Sequence, residues 1–590
     1  MLFVGSAASM LWSLLYFFYN HVLLVSICCF VASTVVLQCM TRIRSSMKID
    51  RAQKLRDQAL RLMEKHGSDF KKQHGDVDAS GILSLTLCEL ASQLKSGSLS
   101  PEAVLHVYIE KALEVTREVN CVTDFLAECE AQLQELKKQP EKGLLYGVPI
   151  SLKDNLGYKG HNKHCGLVHF LGTLDAEDSA LVHVLKKQGA IPFVKTNVPQ
   201  SLINFDCSNS IYGQTLNPHN HKKTCGGSSG GEGALVAGGG AILGIGTDVV
   251  GSIRMPCSFC GICGLKPSGN RLSEKGLLSP VSGMKSVVNM PGPMARDVDS
   301  LALFMKAVLC DEFFQMDHTI PPIPFRDEIY KSTKRLTIGF YDTDGYFLPH
   351  PSARRAIQET KTLLEEAGHK LVPFTPPRIE YALNELCIRG FFADGGKTLV
   401  EKFKPDVVDP HLKQQLLLWR IPGILKKIGA FFLRPMYPRI ANHLEAHSGV
   451  GSVKGLWKHY TAIQEYRNEF VGEWRKLGLD ALLCPSLSPA FNIGSPGKLF
   501  AGFSFTMLFN VLNFPAGVLP VTTVSAEDEE ELKHYKGYYN DLWDKEIIQA
   551  MEGGVGLPVA VQCVALQWQE EQCLRLMKEV ESVTRENANK

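Results

Sequence analysis

The feature that most limits how this chain can fold is its N-terminus, where residues 1–41 contain no Lys, Arg, Asp or Glu. Within this stretch, Val22 to Met40 is long enough to cross most of a bilayer's hydrocarbon core as a helix. A second apolar run, Leu11 to Tyr19, precedes it. A cleaved signal peptide would instead have a basic start and a shorter apolar region. We therefore predict a membrane anchor at residues 1–41, with a transmembrane helix at about residues 22–40.

Basic residues follow the anchor immediately: Arg42, Arg44, Lys48, Arg51, Lys54 and Arg56. Because cytoplasmic segments next to membrane helices are enriched in Lys and Arg, the chain after residue 42 is expected on the cytoplasmic side. The 17 cysteines form no compact framework and their number is odd, which indicates free thiols in a reducing compartment. Both observations predict a single-pass membrane protein whose main domain is cytoplasmic.

The composition limits the remaining function classes. With 45% hydrophobic and 21% charged residues, the chain is predicted to be globular. A net charge of +2 argues against a broad nucleic-acid-binding surface. Cys257, Cys260 and Cys263 have the spacing of an iron–sulfur run, but the fourth cysteine is missing and no second pair completes a zinc site. We expect these thiols to pack in a core, and we expect no metal ion and no cofactor.

Between the anchor and the main domain, residues 42–80 are predicted to form a basic juxtamembrane helix and a linker. Arg51 to His66 has the composition of a polar connecting helix, and Gly75 to Gly81 reads as the linker. No strong boundary interrupts the chain after residue 80. We therefore treat residues 81–590 as one domain.

This domain alternates helix and strand signals. Thr86-x-x-Glu89 is a capping box, and Ser100-Pro101 starts a second helix. The same logic predicts further elements: a helix at Ser179–Gln188, a strand at Ala190–Val194, a strand at Leu336–Tyr341, a helix at Pro351–Glu366 and a strand at His369–Phe374. Strands joined by crossover helices predict an α/β fold, whose mixed, largely parallel twisted sheet is covered by helices.

The most informative segment is Gly226 to Ala234 (GGSSGGEGA), followed by Ser252 in the run Thr247 to Pro256 (TDVVGSIRMP). Glycines around serines indicate tight turns whose backbone N–H groups can face an anion. A phosphate loop would need Gly-Lys-Ser/Thr, which is absent. An α/β-hydrolase elbow with Ser229 as nucleophile would need an acid and a histidine late in the chain. The last histidine, His534, lies in a charged run, a poor setting for a buried base.

The third reading is a hydrolase in which a neutral lysine replaces histidine as the base. A lysine is available in Gly147 to Asn155 (GVPISLKDN), and Gly556 to Gln562 (GLPVAVQ) lies near the C-terminus. Together with the two serine segments, in this order and at this spacing, these motifs resemble the amidase-signature family over most of residues 85–585. The resemblance implies the amidase-signature fold for the domain and makes it a catalytic domain.

The resemblance also implies the roles of single residues. Ser252 would be the nucleophile, Ser228 the bridging serine and Lys153 the base. Three further residues are expected to support the site: Ser229, Asp248 and Arg254. The last two are expected to form an ion pair or loop hydrogen bonds and to perform no chemistry.

The same resemblance places an oxyanion hole at the backbone N–H groups of Val249, Val250, Gly251 and Ser252. Ser228 and Leu202 would contribute to the substrate-binding surface. The family usually has Gly or Ala at the position of Val250. A β-branched residue is tolerated there if its φ is negative and is costly if φ must be positive.

The expected chemistry requires an unusual lysine. Free lysine has a pKa near 10.4 and is a protonated, inactive base at about pH 7. Lowering that pKa to about 7.5 takes roughly 4 kcal/mol of differential destabilisation of the cation. Burial beside serine hydroxyls and backbone groups can supply it.

A second segment is suited to a membrane surface. Its apolar residues recur at helical spacing and are accompanied by basic ones: Ile421, Ile424, Leu425, Ile428, Phe431 and Phe432, with Arg420, Lys426, Lys427 and Arg434. Periodicity alone also allows an ordinary core-facing helix. The resemblance favours an amphipathic membrane cap at about residues 415–438, through which a lipid could pass from the bilayer to Ser252.

Longer similarities narrow the substrate. Phe205 to Asn209 (FDCSN) and Cys260 to Pro267 (CGICGLKP) resemble members of the family that act on lipid amides. This implies hydrolysis of fatty acid primary amides and N-acylethanolamines, and also of esters, by a homodimer on the endoplasmic reticulum or another endomembrane. Two alternatives remain open: an amidotransferase-type amidase and a catalytically impaired membrane scaffold of the same fold.

Overall fold

The computed structural model describes residues 2–74, 77–499 and 503–588. The strands are β1 (Val122–Phe125), β2 (Pro149–Lys153), β3 (Ile191–Thr196), β4 (Ser208–Asn209), β5 (Gly213–Gln214), β6 (Leu216–Asn217), β7 (Asn220–Thr224), β8 (Leu243–Asp248), β9 (Cys263–Lys266), β10 (Met290–Ala295), β11 (Thr337–Phe340), β12 (Lys370–Pro373), β13 (Ala481–Pro485), β14 (Ala516–Thr523) and β15 (Pro558–Val564).

The α-helices are α1 (Leu2–His74), α2 (Ala79–Ser84), α3 (Leu87–Ser96), α4 (Pro101–Val119), α5 (Cys129–Leu136), α6 (Ala180–Lys187), α7 (Gly230–Ala237), α8 (Arg254–Cys260), α9 (Val298–Val308), α10 (Asp311–Met316), α11 (Asp327–Tyr330), α12 (Pro351–Glu366), α13 (Arg389–Phe391), α14 (Lys397–Lys402), α15 (Lys413–Arg420), α16 (Gly423–Leu433), α17 (Pro438–Ala446), α18 (Val453–Lys476), α19 (Ser504–Val511), α20 (Ala526–Leu532), α21 (Leu542–Met551) and α22 (Glu570–Ala588). A π-helix at Tyr381–Ile388 precedes α13.

One mixed sheet of eleven strands forms the centre, in the order β1-β3-β2-β8-β10-β9-β14-β15-β13-β11-β12. The predicted α/β class and the mixed sheet are confirmed, but the expectation of a largely parallel sheet is wrong. Four neighbouring pairs are parallel and six are antiparallel. Two of the antiparallel pairs arise because β10 inserts between β8 and β9, which are connected through α8, and runs antiparallel to both. Such an insertion depends on a strand that lies far away in sequence.

The local signals in the sequence are reproduced closely. Thr86 caps α3 in a capping box with Glu89, and Ser100 caps α4 with Pro101 at its first position. The predicted segments at 179–188, 190–194, 336–341, 351–366 and 369–374 correspond to α6, β3, β11, α12 and β12. These elements depend on neighbouring residues, which is why sequence pattern alone finds them.

The N-terminal segment is a single helix, α1, which joins the predicted transmembrane helix and the predicted connecting helix without a break. No proline occurs before Pro101, so nothing in this stretch removes a helical hydrogen bond. By length and composition α1 is able to cross a membrane. The predicted linker is shorter than expected, because α2 already begins at Ala79, and Gly75 lies outside the described residues.

The C-terminal part of α1 packs against the domain through α4 and β1. Met63 is fully buried there. His66 Nδ1 lies 2.6 Å from Glu130 Oε1, and the Arg56 guanidinium donates a hydrogen bond to Asn120 Oδ1 (2.9 Å). Further contacts begin at Ser45, whose hydroxyl donates to Pro405 O, so the direction in which the N-terminal part of α1 leaves the domain is set by contacts from residue 45 onward.

Cys257, Cys260 and Cys263 are buried in the core, as expected. Their thiols donate to carbonyl oxygens, for example Cys260 Sγ to Cys225 O (3.4 Å). Burial raises the pKa of each thiol, so they remain protonated. They behave as small packing residues.

The predicted cap segment consists of two helices, α15 and α16, separated at Ile421 and Pro422. The alternative of a core-facing helix is wrong, since the apolar side chains of α16 are largely exposed: Ile424, Leu425, Ile428, Phe431 and Phe432. Lys426 corrects the expectation in another way. It is buried, and it donates to three carbonyl oxygens, including His447 O at 3.0 Å, so it fixes α16 to the domain and does not face outward.

Candidate active site

The site lies where two neighbouring parallel strands end. Lys153 is the last residue of β2, and Ser252 follows the end of β8 by four residues. Because β2 and β8 are parallel neighbours, their carboxyl ends meet at one edge of the sheet. Ser228 reaches the same edge from the loop before α7, which begins at Gly230.

Lys153 is completely buried and contacts two hydroxyl-bearing residues. Its Nζ donates to Ser228 Oγ (2.7 Å), Thr247 Oγ1 (2.8 Å) and Thr247 O (3.2 Å). Loss of hydration on burial is the main cause that lowers the pKa of Lys153 from 10.5 to about 7; nearby acidic groups such as Asp248 oppose it. The lowered pKa makes the neutral amine accessible near neutral pH.

Ser228 and Ser252 line one cavity, and each is at most 5% exposed. The structure therefore brings Lys153, Ser228 and Ser252 to one place. Among the described residues, the Ser252 hydroxyl has no hydrogen-bond partner, and the one partner of the Ser228 hydroxyl is the Lys153 amine. Catalytic hydrogen bonds are often looser in a free enzyme than in its substrate complex.

Ser229 is fully buried and holds the two serine loops together. Its N–H donates to Ser252 O (3.1 Å), and its hydroxyl donates to Thr247 O and accepts from Thr247 N, both at 3.2 Å. Its hydroxyl is therefore occupied by backbone groups. This argues against the reading in which Ser229 is the nucleophile.

Asp248 and Arg254 meet as a fully buried ion pair, with Arg254 Nε donating to Asp248 Oδ2 at 3.1 Å. Arg254 also donates to Gln562 Oε1 (2.8 Å), and Asn510 Nδ2 donates to Asp248 Oδ1 (3.0 Å). Burial alone would raise the pKa of Asp248, but Arg254 and the hydrogen bonds hold it well below its usual range. The pair fixes the loop that carries Ser252.

The expected oxyanion hole is only partly available. The Gly251 N–H donates to Asp248 Oδ1 (2.7 Å), so it does not face the cavity as a free donor. Within the described part of the chain, the N–H groups of Val249, Val250 and Ser252 have no hydrogen-bond partner. Gly251 has a φ of 130°, whereas Val250 is not among the residues with positive φ. The β-branched side chain of Val250 is therefore compatible with the loop.

Two residues of the site were missed by the sequence patterns. Thr247 holds Lys153 on one side. Glu232 is fully buried and accepts from Thr196 Oγ1 (2.7 Å) and Ser151 Oγ (2.5 Å). Burial raises its pKa to about 7, while Lys153 acts in the opposite direction. Glu232 stands inside the GGSSGGEGA run and was visible there, but nothing local indicated that it would be buried.

The cavity is narrow and mostly apolar, with a volume of about 40 Å³. Leu202 lines it, as expected, together with Val250, Val281, Met284 and Phe391. The described residues contain no group of three or more His, Cys, Asp or Glu side chains placed to hold a metal ion.

A family model and two curated relatives match this chain over most of its length. The family model described as Amidase matches residues 103–574. The chain is 50% identical to fatty-acid amide hydrolase 1 of Sus scrofa, over 94% of this chain and 95% of that protein. It is 58% identical to the vitamin D3 hydroxylase-associated protein of Gallus gallus, over 73% of this chain and 93% of that protein.

Solved structures of amide hydrolases have the same fold as this chain. A structure of fatty acid amide hydrolase superposes with a TM-score of 0.76 at 25% identity, over 91% of this chain and 94% of that one. A structure of 6-aminohexanoate cyclic dimer hydrolase gives a TM-score of 0.66 at 20% identity, over 86% and 98% of the two chains, and shows the fold alone.

Proposed function

Because this chain belongs to the amidase family and has its fold, we propose that it hydrolyses fatty acid primary amides and N-acylethanolamines to a fatty acid and an amine. The observation that carries the proposal is the buried Lys153 amine, 2.7 Å from the Ser228 hydroxyl, beside a cavity that also contains Ser252. The relative from Sus scrofa, named for fatty-acid amides, supports the substrate class.

In the proposed reaction, neutral Lys153 uses its lone pair to accept the Ser228 proton. Ser228 in turn takes the proton of Ser252 as the Ser252 oxygen attacks the amide carbonyl carbon. The proton then returns through Ser228 to the amide nitrogen, the carbon–nitrogen bond breaks and the amine leaves. Water attacks the resulting Ser252 acyl ester by the same relay and releases the fatty acid, also when the substrate is an ester.

The negative charge that forms on the carbonyl oxygen needs donors that are already in place. We propose the N–H groups of Val249, Val250 and Ser252, each contributing about 3 kcal/mol to the transition state if correctly directed. Gly251 has a structural role in this scheme, because its N–H donates to the Asp248 carboxylate and stabilises the loop that carries Ser252.

We further propose that α1 anchors the protein in an endomembrane with the catalytic domain in the cytoplasm. The exposed apolar side of α16, which includes Phe431 and Phe432, would lie in the interface of the same bilayer. A lipid amide could then reach the cavity without crossing water. A homodimer, as proposed from the family resemblance, would place two such surfaces on one membrane.

Labelling with a serine-reactive fluorophosphonate tests the nucleophile. We expect the wild-type protein to be labelled at Ser252 and to hydrolyse oleamide, and we expect the Ser252→Ala variant to lose both properties. The Ser229→Ala variant separates the two serine readings and should still be labelled at Ser252, although more slowly, because the Ser229 hydroxyl supports the loops through the Thr247 backbone and does not line the cavity. Full labelling of Ser252→Ala would refute the assignment, and labelling without turnover of any amide would favour an impaired scaffold.

A further inference from the structure

Two buried polar atoms in the wall of the catalytic cavity lack hydrogen-bond partners. They are Asn155 Oδ1 and Ser201 Oγ, and neither is bonded to any group in the described part of the chain. Asn155 is 1% exposed and Ser201 is fully buried, and both line the cavity that holds Ser228 and Ser252. A buried polar atom without a partner is destabilising, so such atoms in a cavity wall are suited to bond a ligand that enters the cavity.

Other polar side chains of the same wall are satisfied within the protein. Ser279 Oγ donates to Val281 O (2.8 Å), and Asn204 Oδ1 accepts from Asp206 N (3.1 Å). The lack of partners is therefore not shared by every polar group of this wall: apart from the Ser252 hydroxyl, which the proposed reaction uses, it is found at Asn155 and Ser201.

A chain of contacts connects the two residues. Asn155 Nδ2 and Cys165 Sγ both donate to Leu278 O, at 3.2 and 3.7 Å. Cys165 O in turn accepts from the Ser201 N–H (2.8 Å). Asn155 and Ser201 thus belong to one small network on one side of the cavity.

The chemistry of the two atoms specifies their partner. A carbonyl oxygen can only accept, so the Asn155 amide must direct its nitrogen to Leu278 O, which leaves Oδ1 as a pure acceptor. The Ser201 hydroxyl can donate and accept. A ligand hydroxyl, which donates one hydrogen bond and accepts another, complements both atoms. A primary amide nitrogen can donate to both atoms, but it leaves the Ser201 O–H without an acceptor.

The position of the network points to the leaving-group side of the substrate. Asn155 lies two residues after Lys153, in a turn closed by Leu156 N donating to Lys153 O (3.0 Å). Lys153, through Ser228, is the group that would protonate the departing amine. The proposed reaction is thus compatible with an amine portion on the Asn155 side of the cavity and an acyl chain against the apolar surface of Met284 and Phe391.

We infer that Asn155 and Ser201 form a subsite for the hydroxyl of an N-(2-hydroxyethyl) amide, so that this chain selects hydroxyalkyl amides over their alkyl analogues. The inference rests on the proposed function and deepens it. The substrate hydroxyl would donate to Asn155 Oδ1 and accept from Ser201 Oγ.

The test compares kcat/KM for N-oleoylethanolamine and N-propyl oleamide, which differ by a hydroxyl in place of a methyl group. The full-length protein and its Ser201→Ala variant are measured in the same detergent. Ser201→Ala removes no hydrogen bond within the described protein, so its thermal stability should be kept. We expect the preference for the hydroxyethyl amide to fall about tenfold, as the loss of one hydrogen bond implies.

Asn155→Leu should lower the same ratio by a similar factor, and Ser279→Ala, whose hydroxyl is already bound, should leave it unchanged. An unchanged ratio in Ser201→Ala would overturn the inference, as would an equal loss on both substrates. If Asn155→Leu does not fold, Ser201→Ala alone decides. Failure of the wild-type protein to hydrolyse either amide would instead refute the proposed function.

Discussion

Replacing Lys153 by methionine should sharply reduce amide hydrolysis and, at neutral pH, stabilise the fold. Lys153 is fully buried, and its pKa falls from 10.5 in the unfolded chain to about 7 in the folded one. Between these values the unfolded chain binds a proton that the folded chain does not, so this residue opposes folding there and its cost declines as pH rises. Methionine has a similar length and does not titrate.

The magnitude follows from the two pKa values. The proton-linked cost of Lys153 is about 4 kcal/mol at pH 7 and about 1.4 kcal/mol at pH 9.5. Methionine also loses the hydrogen bonds of Lys153 to Ser228 and Thr247, about 1 kcal/mol each, but this loss is similar at both pH values. The stability difference between variant and wild type should therefore shrink by about 3 kcal/mol from pH 7 to pH 9.5.

Urea unfolding in detergent at the two pH values, followed by tryptophan fluorescence, measures this difference. Thr247→Val is a suitable control, since it removes a partner of Lys153 without removing the titrating group. A stability difference between Lys153→Met and wild type that is the same at pH 7 and pH 9.5 would show that Lys153 is charged in the folded protein. Lys153 could then not act as a neutral base.

Two further predictions concern the loop and the membrane surface. Asp248→Ala should lower the free energy of unfolding by about 3–5 kcal/mol, because it leaves Arg254 as a buried charge without its carboxylate; thermal unfolding measures this, and a change below about 1 kcal/mol would contradict it. Phe431→Ser combined with Phe432→Ser should slow hydrolysis of oleamide in vesicles but not of a water-soluble short amide, because both side chains are exposed on α16. Val555→Ser, at another exposed apolar residue, is the control, and equal loss on both substrates would argue against an interfacial role.

Much of the fold and of the candidate site followed from local patterns. The capping box of Thr86 and Glu89 and the Ser100-Pro101 start define helices because their hydrogen bonds join residues three apart. The family resemblance that the glycine and serine motifs carry, and not the motifs themselves, implied that Lys153 and Ser228 meet, although 75 residues separate them in sequence. There the resemblance to a family supplied what periodicity could not.

The features that sequence reasoning missed depend on distant parts of the chain. The position of β10 between β8 and β9 depends on how the whole sheet assembles, and no local sequence pattern in β10 predicts it. Lys426 has the spacing of an outward basic residue, yet it is buried against carbonyl groups of Gly395 and His447. The Gly251 N–H was expected to face the substrate, but it donates its hydrogen bond to the carboxylate of Asp248, three residues earlier.

The pH dependence of kcat/KM for a fatty acid amide tests the central claim most directly, because it reports the ionisation of the free enzyme. With the pKa of Lys153 lowered to about 7, the rate should rise through pH 7 and level off above about pH 8, and the residual rate of Lys153→Met should lack this rise. A wild-type profile that is flat from about pH 6 to about pH 10, or the same rise in Lys153→Met, would contradict a neutral lysine acting through Ser228 on Ser252.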